Sequence, residues 1–175
     1  MREPGATPAD ALAHADALYH LARHLTRHAA DAEDLVQETY ARAFRALGRI
    51  AAGPELRAWL FRILRNAFLD LQRRARRSPV DARDDLDGLA GAAPGEEAWL
   101  RGDAELERMR GIVGAEIEAA LRTLPEDSRV VVLLDVEGFS EAEVGEVMGC
   151  PVGTVKSRLA RARAALRERL SEYRR

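Results

Sequence analysis

The chain has 175 residues, enough for one large or two small domains. A hydrophobic content of 47 % supports packed cores, and only 5 % aromatics means those cores are built mainly from Leu, Val, Ile and Ala. A net charge of −2 and a pI near 6.1 exclude a general nucleic-acid coat, yet 57–77 and 151–175 are strongly basic and 81–107 is acidic. Cys150 is the single cysteine, so no internal disulfide forms. It reads as a small buried residue at a helix turn in a cytoplasmic protein, with a redox role the weaker reading. No apolar run nears the roughly 18 residues of a membrane span. The opening MREPGATPAD lacks a signal-peptide core.

Residues 1–6 are expected to fray. Thr7-Pro8-Ala9-Asp10 reads as a helix start, with a cap, a proline at the first position and a carboxylate near the positive end of the dipole. Leu12, Leu18, Tyr19, Ala22 and Leu25 carry an amphipathic helix to about His28. His20, His24 and His28 are spaced four apart, which can present two nitrogens to one metal. No Cys or Glu-x-x-His partner accompanies them or His14, so a solvated face is the better reading and no metal is expected.

Asp31 is expected to cap the next helix, with Asp34 at the third position. Leu35/Val36, Thr39/Tyr40, Ala43/Phe44 and Leu47 form its stripe, and Gly48 is expected to end it. Asp34, Gln37, Glu38 and Arg42 lie off that stripe, as a solvated face or a docking surface for a protein. Arg49 to Gly53 is a short loop. Pro54 then opens a third helix with Leu56, Trp59/Leu60, Ile63/Leu64, Ala67/Phe68 and Leu71 at core spacing. Its other side carries Arg57, Arg62, Arg65, Asn66, Arg73, Arg74, Arg76 and Arg77, with Phe61 off the stripe beside them. Cations for phosphate and a ring for a base suit a nucleic-acid strand. A solvated arginine face is the alternative.

Ser78-Pro79 closes this first unit. The following acidic, Gly- and Ala-rich stretch has linker composition, with Trp99 as its one candidate anchor. A helix over about 104–122 carries Leu106, Met109, Val113, Ile117, Ala120 and Leu121, and Leu124-Pro125 breaks it. Residues 126–137 are read as helix although VVVLLDV is β-prone.

Ser140 with Glu143 makes a capping box. Val144, Val147 and Met148 give the short helix that follows one apolar side. Gly149 suits a left-handed stop, and Pro151 suits the first position of the next helix. There Val152, Val155, Leu159, Ala162, Leu166 and Leu170 form a stripe. Opposite lie Gly153, Thr154, Ser157, Ala160, Arg161 and Ala164, with Lys156 and Arg163 flanking on one side and Arg158 on the other. Small residues let a backbone enter a major groove about 12 Å wide, and the cations reach base edges and phosphates. An ordinary helical hairpin is the competing reading.

At this point the residues resemble a family, the extracytoplasmic-function (ECF) group of bacterial RNA polymerase sigma factors. HAADAEDLVQETYARAFRAL resembles the core-binding helix of region two, and LRAWLFRILRNAFLDLQRR resembles its promoter-melting helix. LRTLPEDSRVVVLLDVEGFSEAEVGEVMGCPVGTVKSRLARARAALRERL resembles region four, the minus-35 reader. The expected fold is all-α: two small helical domains, 7–78 and 104–175, joined by a flexible acidic linker over 79–103, the C-terminal one a helix-turn-helix.

The resemblance implies roles position by position. Asp34, Leu35, Gln37 and Glu38 would dock on the clamp helices of the polymerase β′ subunit, with the β flap as a further contact. The loop Arg49–Glu55, including Ile50 and Gly53, would pocket a flipped base of the minus-10 element. Arg62, Arg65 and Asn66 would hold the displaced strand. Thr154, Lys156, Ser157, Arg158 and Arg161 would contact minus-35 DNA. The linker would thread along the polymerase near its active centre, and an anti-sigma factor would hold the protein inactive. Ala160 stands where the family often has a larger side chain, and one core tryptophan replaces an aromatic cluster, which suggests limited strand opening. No catalytic residue and no cofactor is implied. Two other classes compete: a helix-turn-helix regulator that needs no polymerase, and a helical enzyme. The second lacks a Glu-x-x-His pair, a nucleophile with a base and a phosphate loop.

Overall fold

A computed structural model describes residues 5–26, 28–51, 53–77 and 113–171. The expected linker over 79–103, Trp99, Leu106 and Met109 lie outside the described residues. The regular elements are α1 (Pro8–Leu12), α2 (Ala15–Leu25), α3 (Ala29–Phe44), a 3-10 turn (Leu47–Arg49), α4 (Pro54–Arg77), α5 (described over 113–122), α6 (Glu126–Val136), α7 (Glu141–Met148) and α8 (Val152–Arg169). The fold is all-α, as expected, apart from one isolated bridge between Gly5 and Ala51.

Thr7 and Asp10 close a full capping box at the start of α1. The helix expected to run on to His28 breaks at Ala13-His14. The Ala11 carbonyl there accepts from Tyr40 Oη at 3.1 Å and from the His14 N–H at 3.2 Å. A side chain entering the ladder ends the helix, and Leu12 is left 52 % exposed. Residues 5–6 do not fray: the Ala6 N–H donates to the Ile50 carbonyl at 2.7 Å. A Cβ on Gly5 would lie 2.6 Å from the Gly48 carbonyl oxygen, so only glycine permits that approach.

α3 starts two residues before Asp31, with His28 at the N-cap and no side-chain cap. Asp31 sits inside the first turn. The helix stops at Phe44, and Gly48 falls within the following 3-10 turn. Ala32, Leu35, Thr39 and Ala43 form the buried stripe. The Thr39 hydroxyl is satisfied within the helix, donating to the Leu35 carbonyl at 2.7 Å. α4 touches α2 and α3 on one side and α7 on the other. It therefore buries Ala58 and Phe61 as well as Leu56, Leu60, Leu64, Ala67 and Phe68.

In the second half the β-prone run forms α6, because Val130, Val131, Val132 and Leu134 find a helical core against α7 and α8. Packing overrides propensity here. The Ser140–Glu143 capping box is present, and its hydrogen bonds hold the Glu143 carboxyl below the usual range. Gly149 takes φ 63° and ends α7. Pro151 is the N-cap of α8 and not its first helical residue, a shift of one position. Gly145 has a role that periodicity does not reveal. The Cys150 N–H donates to its carbonyl at 3.0 Å, and a Cβ on Gly145 would lie 2.9 Å from the Cys150 carbonyl oxygen.

The two halves pack together. The Phe61 and Phe139 rings meet at 4.8 Å with an interplanar angle of 62°. Phe61, expected on an outward arginine face, has no exposed surface. α2 packs against α6, and the Arg129 guanidinium donates to the His24 carbonyl at 3.2 Å. His24 is thus half-buried between the halves, not on a solvated face. Burial holds its imidazole below the ordinary value of 6.5. Glu118 opposes that shift, and His20, Arg129 and Arg122 support it.

Gly145→Ala is expected to destabilise the chain by about 1–3 kcal/mol, since the clash is with backbone. Gly153→Ala, where a Cβ meets nothing within 4 Å, is expected to be neutral or slightly stabilising. Urea titrations followed by circular dichroism compare them. The packing of the halves should also depend on pH. Covered His24 is neutral, and separation lets it take a proton at its ordinary value. The packed form keeps its full advantage above pH 6.5 and loses it as pH falls from there toward the depressed value. X-ray scattering between pH 7.5 and 5.5 should show the radius of gyration rising in acid, with a smaller rise in His24→Gln.

Candidate nucleic-acid interface

α7 and α8 form the helix-turn-helix. Val144, Val147, Met148, Val155, Leu159 and Ala162 seal the angle between them. This leaves one outward surface on α8. Gly153, Lys156, Ser157, Ala160, Arg161 and Ala164 are exposed, and Thr154 is half-buried at the edge. Ser157 Oγ donates to the Thr154 carbonyl at 3.0 Å, and Arg161 Nε donates to the Ser157 carbonyl at 3.2 Å. Lys156 Nζ lies 3.4 Å from Glu141 Oε2, but both side chains are largely exposed, so the pair is weak. Small residues at the start of the helix and cations along it fit a major groove.

Arg158 does not share that surface. It is three residues after Val155 and four before Ala162, both buried, so it faces α6. Its Nη2 donates to Asp127 Oδ2 at 2.8 Å, and its Nη1 lies 3.7 Å from Cys150 Sγ. Cys150 is half-buried, more open than expected. Arg163 is drawn to Asp135 at 2.7 Å.

The same logic divides α4. Arg62 and Asn66 are exposed on one face. Arg65 lies four after Phe61 and three before Phe68, both buried, and its Nη2 sits 3.2 Å from Asp127 Oδ1. Arg57 donates to the Glu137 carbonyl, and its Cζ lies 3.9 Å over the Phe139 ring. The exposed cationic face of α4 is therefore narrower than the arginine count suggests, and it lacks Phe61. In the loop before α4, Arg49, Gly53 and Glu55 are exposed. Gly53 takes φ 113°, open to glycine. Ile50 is half-buried against the core, and the Ala6 N–H braces its carbonyl.

On α3, Asp34, Gln37 and Glu38 are exposed, whereas Leu35 is fully buried. Leu35 continues the Ala32–Leu35–Thr39 stripe, so its side chain is core and not a docking contact. Glu38 Oε1 accepts from Arg42 Nε at 2.7 Å, which holds its carboxyl below the usual range. Arg42 also reaches Asp70 at 2.9 Å. Sequence reasoning missed Asp127 and Phe139. Their partners are far away along the chain, and no local spacing announces them.

Comparison with known proteins bears on these surfaces. The family model for Sigma-70 region 2 matches residues 11–78, and that for Sigma-70 region 4 matches residues 114–166. The chain is 40 % identical over 162 residues to the ECF RNA polymerase sigma factor SigE of Mycolicibacterium smegmatis, covering 91 % of this chain and 60 % of that protein. It is 39 % identical over 158 residues to the ECF sigma factor EcfG of Rhodopseudomonas palustris, covering 90 % of this chain and 81 % of that one. Among solved structures it resembles the sigma factor RpoE of Bartonella quintana in complex with the anti-sigma factor NepR, with TM-score 0.70 and 31 % identity over 93 % of this chain and 95 % of that one. It also resembles CnrH in complex with the cytosolic domain of CnrY, with TM-score 0.62 and 30 % identity over 94 % and 87 % of the two chains. Two regions matched in their family order on one chain, with EcfG alike over most of its length, lead to one conclusion: the chain belongs to the ECF family of RNA polymerase sigma factors.

Proposed function

We infer that this chain binds core RNA polymerase and directs promoter-specific initiation. The observation that carries this reading is the outward surface of α8, where Lys156, Ser157 and Arg161, with Thr154 at the edge, are left open by the described residues of a capped helix-turn-helix. That surface reads the minus-35 element as duplex DNA. The N-terminal half takes the minus-10 element as single strand, with Arg62 and Asn66 along the strand and the 49–55 loop receiving a base. Taking a base out of the stack costs a few kcal/mol. The loop offsets part of this and polymerase contacts the rest, so the chain without polymerase binds promoters weakly.

Asp34, Gln37 and Glu38 are the docking surface for the β′ clamp helices, and the C-terminal half meets the β flap. The structural neighbours bound to NepR and CnrY support an anti-sigma factor as a further partner. The chain's work is binding, with no covalent step, in the cytoplasm. Among the described residues no helix is long and apolar enough to cross a membrane. A regulator acting on duplex DNA alone would need only α7 and α8. The acidic face of α3 and the cations of α4 favour the polymerase-dependent reading.

Run-off transcription with core polymerase on a genomic promoter pool tests the reading. Promoter-dependent transcripts are expected only when the chain is present, and their absence would end it. Lys156→Ala or Arg161→Ala should weaken promoter binding by about 1–3 kcal/mol if a base contact is lost. Loss of a phosphate contact should instead shallow the log–log salt slope by about 0.9. Unchanged footprints in both variants would remove the recognition-helix assignment. Glu38→Lys should cut co-purification with core polymerase while the circular dichroism spectrum stays unchanged.

A further inference from the structure

The loop ahead of α4 is held by a segment far from it in the chain. Its other backbone bonds are local. The Arg49 N–H donates to the Ala46 carbonyl at 3.1 Å, the Ile50 N–H to the Leu47 carbonyl at 3.1 Å, and the Arg57 N–H to the Gly53 carbonyl at 3.2 Å. Among the described residues one backbone hydrogen bond reaches the loop from elsewhere, from the Ala6 N–H to the Ile50 carbonyl at 2.7 Å. Beside it Gly5 pairs with Ala51 in the isolated antiparallel bridge, and Ala6 is buried. Ile50 is extended at this point, with φ −110° and ψ 138°, and packs against the core. The bracing segment is anchored in turn. Thr7 and Asp10 cap it into α1, and Tyr40 of α3 donates to the Ala11 carbonyl at 3.1 Å.

Two glycines meet at this contact, and they are not equivalent. A Cβ on Gly5 would lie 2.6 Å from the Gly48 carbonyl oxygen and 3.0 Å from its carbon, both backbone atoms that cannot swing aside. A Cβ on Gly48 would meet nothing within 4 Å among the described residues. The contact therefore tolerates a side chain on the loop and not on the brace. We propose that Gly5 and Ala6 are positioning residues for minus-10 recognition: they hold Ile50 and Ala51 in place, so the loop is set for the extracted base before DNA arrives. This rests on the functional reading above, in which that loop receives the base. Fixing a loop's backbone costs conformational entropy residue by residue. A loop already fixed on folding does not meet that cost again at capture, so more of the contact energy offsets the loss of base stacking.

Gly5→Ala and Gly48→Ala in the full chain test this against each other. Each is assayed by run-off transcription with core polymerase on a duplex promoter, and on the same promoter with its minus-10 element opened beforehand by mismatches. Gly5→Ala should cut run-off from the duplex at least fivefold and from the pre-opened template less than twofold, because mismatches remove the stacking cost. Its co-purification with core polymerase and its circular dichroism spectrum should stay at wild-type levels. Gly48→Ala should match the wild type on both templates. Equal losses on both templates in Gly5→Ala would be a general defect and overturn the brace. Wild-type run-off from the duplex in Gly5→Ala, or an equal loss in Gly48→Ala, overturns it too. A third variant, Arg49→Ala with Glu55→Ala, alters exposed side chains of the loop and leaves the brace intact. A loss of duplex run-off in that variant but not in Gly5→Ala overturns the brace and leaves the functional reading standing. Wild-type activity in both removes the loop from minus-10 recognition, and the brace with it. If the wild-type chain fails to initiate, the whole functional reading falls.

Discussion

Phe61 and Phe139 meet edge to face at 4.8 Å, and Arg57 lies over the second ring at 3.9 Å. An aromatic pair of this kind contributes about 0.5–1.5 kcal/mol beyond the area it buries. The arginine above adds about 0.5–2 kcal/mol, depending on how dry it is. Phe139 lies immediately before the Ser140 cap, so the same short segment starts the helix-turn-helix and holds the N-terminal half. α4 is consequently a central helix with two covered sides, where an isolated first domain would leave it one-sided.

The polar contacts are of a different kind. Arg65–Asp127 and Gln72–Glu126 join the halves, Arg158–Asp127 lies within the second, and all three are partly solvated. Exposed ion pairs are worth about 0–1 kcal/mol each and fall with salt. They add direction more than strength: they set which arginines turn inward and so which stay available. Arg62, Asn66, Lys156 and Arg161 stay available. The acidic face of α3 is separate from all of this, with Glu38 steadied by Arg42, and so it is presented whether or not the halves are packed.

Most local structure was legible. The Thr7–Asp10 and Ser140–Glu143 boxes, the Gly149 stop and the stripes of α3, α4 and α8 follow from spacing and cap chemistry acting over three or four residues. The errors share a cause. The break at Ala13-His14 is set by Tyr40, the bracing of Ile50 by Ala6, the inward turn of Phe61 and Arg65 by partners in the other half, and that of Arg158 by Asp127 on α6. Leu35 is different: spacing already put it in the stripe with Thr39, where it is buried, and only the resemblance offered it as a docking contact.

By itself the sequence determined that the chain is helical, that α7 and α8 make a helix-turn-helix, and which side of α8 is basic. Caps, glycine stops and the 3.6-residue period all act within one element. Only the tertiary structure decided which arginines face outward and that Phe61 is core. For Arg65 and Phe61 those outcomes depend on Asp127 and Phe139, more than sixty residues further along the chain, and for Arg158 on Asp127, 31 residues back. Short-range pattern carries no record of what a helix's second face will meet, because a residue at the edge of one stripe becomes interior only when another element arrives to cover it.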